Sequence, residues 1–511
     1  MNDTSDLTGG KRALVALALA FGTFMQVLDT SIANVAIPTM AGNLGVSTDQ
    51  GTWVITSFAV SNGICVPLTG WLMQRYGVVR TFVMSVFLFT AASFLCGAAW
   101  SLSSLVVFRV IQGAVSGPMI PGSQSLLLML FPPEKKGTAL AIWSMTTLVA
   151  PITGPVLGGY ISDNWSWPWI FYINVPVGVF AGIVCMRFLF KRETPTRRVP
   201  IDGVGLGLLV VWVGALQVML DKGKDLDWFN SPAIVTLTIF SVIALVAWLI
   251  WEITEKHPIV DLSLFKRRNF TLGTIAFCLG YATFFGNLVL YPLWLQTELG
   301  YTATWAGLVA APSGIVSVLV APIVGRLIGK VDARWIASVG FVAFIVSYFM
   351  RAQLTEDASF FAFMLPGLVM GIAMGTFFVS LITILLDGLP PQRVPQASGL
   401  SNFLRIVASA FATSLTTTFW DRHETFHQAR LAETTSVFSP AVQSATHALQ
   451  SDGFAASGTQ LGMLTQTLIH QAYLLSSLDY FWITAWMGFI PLGLLWLTRK
   501  PAAGAVVAAG E

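Results

Sequence analysis

Three charged residues lie inside long apolar runs of the chain: Asp29, Arg109 and Arg405. The other charged residues fall in tails, in loops or at the edges of these runs. A charge at the depth of a bilayer core costs about 2.5–3.5 kcal/mol even on a lenient scale, so an ionisable residue there is a functional candidate. Asp29 is the only carboxylic acid of the three. A carboxyl group that gains and loses a proton within the membrane could perform proton coupling, and we assign Asp29 as its candidate.

Polar residues accompany Asp29 in the stretch LDTSIANVAIP (28–38) and just before it. Gln26 and, less closely, Asn34 lie toward the same side of a helix as Asp29. Because lipid cannot satisfy polar groups, this side must face a water-filled cavity or a partner helix. Two interpretations remain open: Asp29 exchanges protons, or it only forms hydrogen bonds to a neighbouring helix.

The two arginines can act only as fixed charges, because a guanidinium does not release its proton in proteins. Arg109 lies in SSLVVFRVIQGAVSGP (103–118) and Arg405 in SNFLRIVAS (401–409). Arg109 would favour the ionised form of Asp29 when close to it and would let the acid reprotonate when it moves away. Alternatively, Arg109 ties helix ends together. Arg405 either holds an anionic group of a substrate or donates to backbone carbonyls.

Further cavity candidates are polar or aromatic residues on apolar segments that could face inward, although core packing explains each aromatic equally well. Together with Arg405, the substrate-cavity candidates are Gln26, Asn34, Gln124, Asn174, Phe284, Tyr291, Trp294 and Asn402.

Two glycine-rich stretches are candidates for conformational gating. In APITGPVLGGY (150–160), glycines permit close helix approach and prolines bend the helix. GWLMQRYGVVR (70–80) predicts a tight turn, whose arginines could also serve only as topology signals. The gating candidates are Gly70, Arg75, Gly77, Arg80, Pro151, Gly154, Pro155, Gly158 and Gly159.

The elements that carry these residues are membrane spans. The chain of 511 residues is 55% hydrophobic and only 10% charged, with a mean hydropathy of +0.72, which excludes an ordinary soluble domain. A span needs about 20 apolar residues. We predict fourteen spans, near residues 13–37, 52–73, 81–99, 103–123, 138–161, 169–189, 203–220, 232–251, 270–291, 304–325, 335–351, 360–386, 397–418 and 480–498.

The distribution of basic residues predicts the orientation of these spans. Of the 28 Lys and Arg residues, 21 fall on the side of the two termini and two lie inside spans. The remaining five are Lys222, Lys224, Arg351, Arg422 and Arg430. The positive-inside rule then places both termini in the cytoplasm. The net charge of +3 is therefore a topology signal and predicts no nucleic-acid partner.

An internal repeat divides the chain. PLTGWLMQR (67–75) and PIVGRLIGK (322–330) share the pattern P-x-x-G-x-L-x-x-basic. Parallel repeats are typical of carriers whose halves rock about a central site. We predict an N-terminal six-helix half (1–190), a linker with two extra spans (191–269) and a C-terminal six-helix half (270–511) that includes a long periplasmic loop (419–479).

The segment 419–479 is the longest hydrophilic stretch inside the chain and contains four of the five histidines: His423, His427, His447 and His470. Residues 421–433 and 459–475 could form amphipathic helices. His423 and His427 share a helical face, but no carboxylate or thiol set in the sequence completes a metal site, so we predict no metal. A solvated helix or a docking surface is the preferred interpretation.

Signatures of enzymes and of ATP-driven pumps are missing from the sequence: GxxxxGK[ST], HExxH and GxSxG do not occur. We therefore expect no enzymatic activity, no catalytic residues and no cofactor. The proton motive force would supply the energy.

Taken together, these stretches resemble the fourteen-span drug:proton antiporters of the major facilitator superfamily. LDTSIANVAIP is similar to the first-helix signature of that family, GWLMQRYGVVR to its loop between helices two and three, RVIQG to its fourth-helix pattern and APITGPVLGGY to its antiporter motif. WSWPWIFYINVPVG (165–178) is similar to the segment that enters helix six. One departure is Gln74, where the loop motif usually has an acid. A charge lock that uses this acid is then absent or rebuilt around Arg75 and Arg80.

The resemblance implies an all-α integral membrane protein that exports hydrophobic, often weakly acidic, toxic compounds in exchange for protons, with Asp29 as the coupling acid and Arg109 as its assisting charge. It further implies a multi-pass protein of the bacterial inner membrane that works with a periplasmic membrane-fusion adaptor and an outer-membrane channel, with 419–479 as the docking surface. Three alternatives remain open: a dedicated exporter of one metabolite such as a fatty acid or siderophore, a polytopic lipid enzyme, and a membrane sensor without transport.

Overall fold

The computed structural model of the protein describes residues 9–132, 135–198, 200–328, 330–434, 443–444 and 457–501. This part of the chain is helical throughout, and its only β-type contact is an isolated bridge between Ile328 and Val331. The predicted all-α membrane architecture is therefore confirmed.

The chain up to Leu189 forms eleven helical segments, which are separated by short breaks, some of which contain Gly or Pro, as at Gly77 and Pro118. They are α1 (Gly9–Val35), α2 (Ile37–Leu44), α3 (Thr48–Gly51), α4 (Trp53–Cys65), α5 (Thr69–Tyr76), α6 (Val78–Gly97), α7 (Leu102–Ser116), α8 (Met119–Leu130), α9 (Lys136–Asn164), α10 (Trp169–Tyr172) and α11 (Asn174–Leu189). Helix α1 packs against α9 and α11, and α4 packs against α7.

The remaining helices are α12 (Gly203–Lys222), α13 (Pro232–Thr254), α14 (Arg268–Thr297), α15 (Ala303–Leu327), α16 (Ala333–Arg351), α17 (Phe360–Leu385), α18 (Val394–Thr434), α19 (Ser457–Met487) and α20 (Phe489–Trp496). Helices α12 and α13 form the predicted extra pair and pack on each other, and α12 also contacts α4 and α18. The division into parts at 190/191 and 269/270 stays a prediction.

The described residues contain eleven helices that are long and apolar enough to cross a membrane, or thirteen if two bent helix pairs are each one span. The predicted count of fourteen is therefore not confirmed. The missing span, 397–418, lies inside α18, which is not among these apolar helices. Its buried polar residues explain the low hydropathy, and they include Ser398, Ser401, Asn402 and Arg405.

Contacts between the helices before residue 190 and those after residue 269 run through α9 and α15, and through α5 and α8 with α18. The backbones of α9 and α15 nearly touch at two glycines. A Cβ atom on Gly137 would lie 2.4 Å from the carbonyl oxygen of Gly325. No larger residue fits at this crossing without moving the helices apart.

At both ends of the segment 419–479, which the sequence predicted to be a loop, the described residues extend two helices. Helix α18 continues without a break to Thr434, and α19 begins at Ser457. Residues 421–433 and 459–475 are helical, so that part of the prediction is confirmed. We call residues 419–434 and 457–479 the extension. His447 lies outside the described residues.

Candidate functional site

The candidate site centres on the carboxylate of Asp29, which is completely buried in α1. The Arg109 Nη1 atom lies 2.5 Å from Asp29 Oδ2 and forms an ion pair with it. The other carboxylate oxygen, Oδ1, accepts hydrogen bonds from Gln112 Nε2 at 3.0 Å and from Asn174 Nδ2 at 2.9 Å. The carboxylate is thus held by one cationic and two neutral donors from three side chains.

A second layer of contacts fixes these donors. Gln112 Nε2 also donates to Ser93 Oγ at 2.7 Å, and its Oε1 accepts from Arg109 Nη1 at 2.7 Å. Arg109 Nε donates to the carbonyl oxygen of Val54 at 3.0 Å. The guanidinium carbon lies 4.2 Å from the centre of the Phe58 ring. Five helices therefore contribute to the site, and the guanidinium and the carboxylate are both shielded from solvent.

Local sequence features place these helices. The start of α7 is a capping box in which the Ser101 and Ser104 side chains each bond to the other's backbone N–H. Helix α9 lies against α1 because of two small residues. A Cβ on Gly154 would lie 2.5 Å from the Ser31 side chain, and one on Gly158 would lie 2.8 Å from the Ile32 carbonyl oxygen. The gating stretch thus packs two to three residues away from the candidate proton site.

The chemistry available at this site is proton exchange. Neutralising the carboxylate would remove the attraction on Arg109 and would turn one carboxyl oxygen into a donor. Arg109 Nη2 is buried and has no hydrogen-bond partner. A guanidinium freed from the carboxylate would therefore have to find new acceptors, because a buried charge without hydrogen bonds is costly.

The structure places the predicted polar cavity residues in different surroundings. Asn174 lies on Asp29, so it belongs to the candidate proton site. Gln26 is buried and its Oε1 has no partner, whereas Asn34 is exposed. Asn402 Nδ2 donates to Gln124 Oε1 at 3.3 Å and so joins α18 to α8.

Arg405 completes this polar chain. Its Nε donates to Asn402 Oδ1 at 3.2 Å, and its guanidinium carbon lies 4.3 Å from the centre of the Tyr281 ring. Within the described residues, no carboxylate forms an ion pair with Arg405. The sequence left two roles open for Arg405: to hold an anionic group of a substrate or to donate to backbone carbonyls. A guanidinium without an ion-pair partner is compatible with the first role.

Two of the three predicted aromatic residues line a cavity between α14, α15, α16 and α17. Phe284 and Tyr291 lie on its wall beside Asn287, Ser313, Met370 and Arg351. The Tyr291 hydroxyl donates to the Phe363 carbonyl at 2.7 Å. Trp294 is fully buried and packs on the rings of Tyr291, Phe363 and Phe481, so it lies in the core and is not on this wall.

Arg351 is a buried charge that the sequence interpretation missed, because it placed this residue at the edge of the predicted span 335–351. Only 2% of Arg351 is exposed, and its Nε has no hydrogen-bond partner. The guanidinium contacts the Tyr291 ring at 4.8 Å and donates to the hydroxyl of Ser347. No described carboxylate forms an ion pair with it. Asn287 Oδ1, on the same cavity wall, also has no partner.

Glu252 is a second buried charged residue that the sequence interpretation missed. Glu252, at the end of α13, is 3% exposed, and its Oε2 accepts from the Val260 backbone N–H at 3.2 Å. Both Glu252 and Arg351 stand at the edge of an apolar run. The sequence interpretation assigned such edges to solvent, and only tertiary packing shows that they are covered.

The predicted tight turn at 70–80 is built around Gly77, whose φ of +93° favours glycine. Its arginines stack on rings: Arg75 contacts Trp71 and Tyr76, and Arg80 contacts Phe190. A Cβ on Gly70 would lie 2.7 Å from the Gln396 side chain of α18, so this residue lies at a close approach between helices.

The acid at this turn is Glu193, which sequence reasoning did not single out. Its Oε1 accepts from the Val79 N–H at 3.0 Å and its Oε2 from the Arg80 N–H at 2.8 Å. A carboxylate at a helix N-terminus stabilises unpaired N–H groups. With Gln74 at the usual acid position, Glu193 supplies a negative charge from the segment after α11.

The predicted bend in α9 is present. The helix turns by 45° between Lys136–Pro151 and Val156–Ser162. The Pro151 carbonyl accepts from the Ser31 hydroxyl at 3.0 Å, which joins the bend to α1. A Cβ on Gly159 would meet nothing within 4 Å, so this glycine makes no close approach. The Pro155 side chain lies outside the described part.

Comparisons with known proteins agree with this architecture. The family model described as Major Facilitator Superfamily matches residues 19–413. The chain is 49% identical over 502 residues to the multidrug export protein EmrB of Escherichia coli K12, with 98% of each chain covered. It is 45% identical over 499 residues to the fatty acid resistance protein FarB of Neisseria gonorrhoeae, again with 98% of each covered.

The fold also matches a solved transporter structure. The proton:xylose symporter XylE aligns with a TM-score of 0.59 and 13% identity, covering 96% of each chain. At this identity the likeness shows the fold alone. The family match, the two relatives and the fold confirm the resemblance noted in the sequence. The chain belongs to the major facilitator superfamily and is a multi-pass membrane transporter, not an enzyme.

Proposed function

We propose that the protein is a proton-driven multidrug efflux transporter that exports hydrophobic toxic compounds by alternating access. The observation that carries this proposal is the fully buried Asp29 carboxylate, held by Arg109, Gln112 and Asn174. A buried ion pair is a costly way to stabilise a fold, because desolvation offsets the attraction between its charges. A transported proton gives this pair a function.

The coupling step is a competition for Asp29 between Arg109 and a proton. At an effective dielectric constant of about 20, two unit charges about 4 Å apart attract by about 4 kcal/mol. Protonation removes this attraction, so the neutral acid and Arg109 can separate as the halves rock. When Asp29 faces the cytoplasm it releases the proton, and Arg109 again pairs with it.

The energy of one proton suffices for substantial export. A proton that crosses a membrane potential of ~100 mV releases about 2.3 kcal/mol. At about 1.4 kcal/mol per factor of ten, this supports a roughly 50-fold gradient of a neutral substrate. No nucleotide or other cofactor is needed in this scheme.

The substrates we propose are hydrophobic drugs, including weak acids. One relative is named as a multidrug exporter, and another as a fatty acid resistance protein. Arg351 and Arg405 are buried without ion-pair partners among the described carboxylates, and they favour anionic groups near the substrate path. A dedicated exporter of one metabolite, such as a fatty acid, is the second candidate, because these cations would also suit a single carboxylate substrate.

We further propose that the protein is the inner-membrane component of a tripartite exporter, with both termini in the cytoplasm. The extension supports this proposal, because it continues two helices well past the apolar segments. It is our candidate surface for a periplasmic membrane-fusion adaptor, which would lead to an outer-membrane channel.

Accumulation of fluorescent hydrophobic compounds in cells that lack their own exporters tests this function. Cells that make the protein should accumulate less of several unrelated compounds, and an uncoupler should abolish the difference while cellular ATP is maintained. Reduced accumulation of one compound class alone would favour the dedicated exporter. An exclusion that survives the uncoupler would contradict proton coupling.

A further inference from the structure

The extension brings two histidines and one carboxylate together at its base. His423 and His427 lie one turn apart on α18, and Asp479 lies on α19. Asp479 is 52 residues beyond His427 in the chain. The sequence suggested no metal because no set of carboxylates or thiols near the histidines completes a site. Helix packing supplies that ligand.

The three side chains converge on one point. His427 Nε2 lies 2.7 Å from Asp479 Oδ2, and His423 Nδ1 lies 3.3 Å from the same oxygen. One potential ligand atom from each residue lies within 4.8 Å of the other two. Ligands in a tetrahedral zinc site lie about 2.0–2.2 Å from the metal. Small side-chain rotations would bring these three atoms to that distance from a common centre.

The surrounding contacts hold the ligands in place. The His423 ring stacks on Phe419 with a centroid distance of 3.8 Å. Trp420 Nε1 donates to Ser477 Oγ at 2.8 Å, and Ser476 Oγ donates to the Trp420 carbonyl at 2.6 Å. These bonds join α18 to α19 within three residues of each of His423 and Asp479. The position of the carboxylate relative to the histidines is therefore fixed before any ion binds.

We propose that His423, His427 and Asp479 form a Zn²⁺ site that joins α18 to α19. Two histidines at i and i+4 present their rings on one helical face, as in zinc-binding helices. Two imidazoles and a carboxylate are a common ligand set for zinc, with water in the fourth position. All three side chains are partly exposed, so water and the ion reach the site. This site is independent of the proton site and of the proposed export function.

The bound ion would act as a cross-link at the base of the extension. His423 and His427 carry no net charge when they ligate a metal, so the ion would neutralise Asp479 and leave one positive charge. The two helices would then be held together by coordination bonds as well as by the contacts of Trp420.

Zinc binding to the full-length protein tests the proposal. The protein is purified in detergent through a tag without histidine, stripped with a chelator, and titrated with ZnCl₂ by isothermal calorimetry. We expect one Zn²⁺ ion per chain. His423→Ala and His427→Ala should each weaken binding by at least about tenfold. Asp479→Asn removes the charge, keeps the side-chain shape and should also weaken binding.

Two histidine variants serve as matched controls. His257→Ala removes an exposed histidine far from the cluster in the sequence, and His470→Ala removes a histidine that contacts Glu298. Both should bind zinc as the unaltered protein does. Gel filtration of every variant separates lost binding from misfolding, and Asp479→Asn remains informative if an alanine variant misfolds.

The proposal is overturned if the unaltered protein binds no zinc or binds it no better than the His423→Ala variant. It is also overturned if His470→Ala, and not His427→Ala, removes the binding.

Discussion

Replacement of Arg351 by glutamine should weaken recognition of anionic substrates and leave neutral ones nearly unaffected. In the structure the guanidinium lies on the cavity wall beside Tyr291 and Asn287, is 2% exposed, and has a buried Nε without a partner. A carboxylate that enters the cavity would satisfy this donor and supply the missing negative charge. The glutamine side chain keeps a hydrogen-bond donor but has no charge.

The expected size follows from the value of a hydrogen bond to a charged group. Such a bond contributes about 1.5–3 kcal/mol, and this corresponds to roughly a 10- to 150-fold loss of apparent affinity. For a neutral compound the apparent affinity should change by no more than about threefold (~0.6 kcal/mol), since such a compound forms no ion pair with Arg351.

The assay compares a hydrophobic carboxylic acid with its primary amide, using substrate-evoked proton movement in proteoliposomes as the readout for both. Lys256→Gln, which removes an exposed charge in the segment after α13, is the matched control. The reasoning is refuted if Arg351→Gln weakens the acid and the amide equally. That result would make Arg351 a structural residue, held by Tyr291 and Ser347.

Three further substitutions test other parts of the account. Gln112→Ala removes a hydrogen bond to the Asp29 carboxylate that contributes about 1.5–3 kcal/mol, so we expect at least tenfold slower proton-coupled export in vesicles. Gly158→Ala places a methyl group against the Ile32 carbonyl, so we expect a loss of about 1–3 kcal/mol in thermal unfolding and reduced transport. Glu193→Ala leaves two N–H groups at the start of α6 uncapped and should cost about 1 kcal/mol of stability in the same melting assay.

The control for Gly158→Ala comes from the same helix. Gly159→Ala adds a methyl group where nothing lies within 4 Å, so it should melt and transport normally. If Gly158→Ala melts and transports like Gly159→Ala, the close packing of α9 on α1 is required neither for stability nor for transport. Normal export by Gln112→Ala would show that the hydrogen bond from Gln112 to Asp29 is dispensable. An unchanged melting temperature of Glu193→Ala would refute the capping role of Glu193.

The sequence predicted the centre of the site because burial in a membrane makes charges conspicuous. Asp29 and Arg109 stand out as single charges in long apolar runs, and the structure places them in contact. Gln112 did not stand out, because an uncharged amide carries a weaker signal. Its position three residues after Arg109 puts it on the same helical face, and this spacing is the signal that could have found it.

The rest of the site depends on contacts between distant parts of the chain. Arg351 ends an apolar run, where a charge ordinarily reaches water, and only the packing of α14 and α17 covers it. Asp479 meets His427 only because α19 packs against α18. The helical architecture was predictable from the lengths of the apolar runs. The count of fourteen spans is not confirmed, because the buried polar residues of 397–418 lower the hydropathy of that helix.

Substrate-evoked proton release from energised inverted vesicles tests the central claim most directly, because it measures the coupling assigned to Asp29. Asp29→Asn keeps the side-chain size and its bonds to neutral donors but cannot exchange a proton. At equal protein abundance, the account predicts proton release by the unaltered protein upon addition of a hydrophobic substrate and none by the Asp29→Asn variant. Normal proton release by the variant would contradict the account and leave Asp29 as a structural residue.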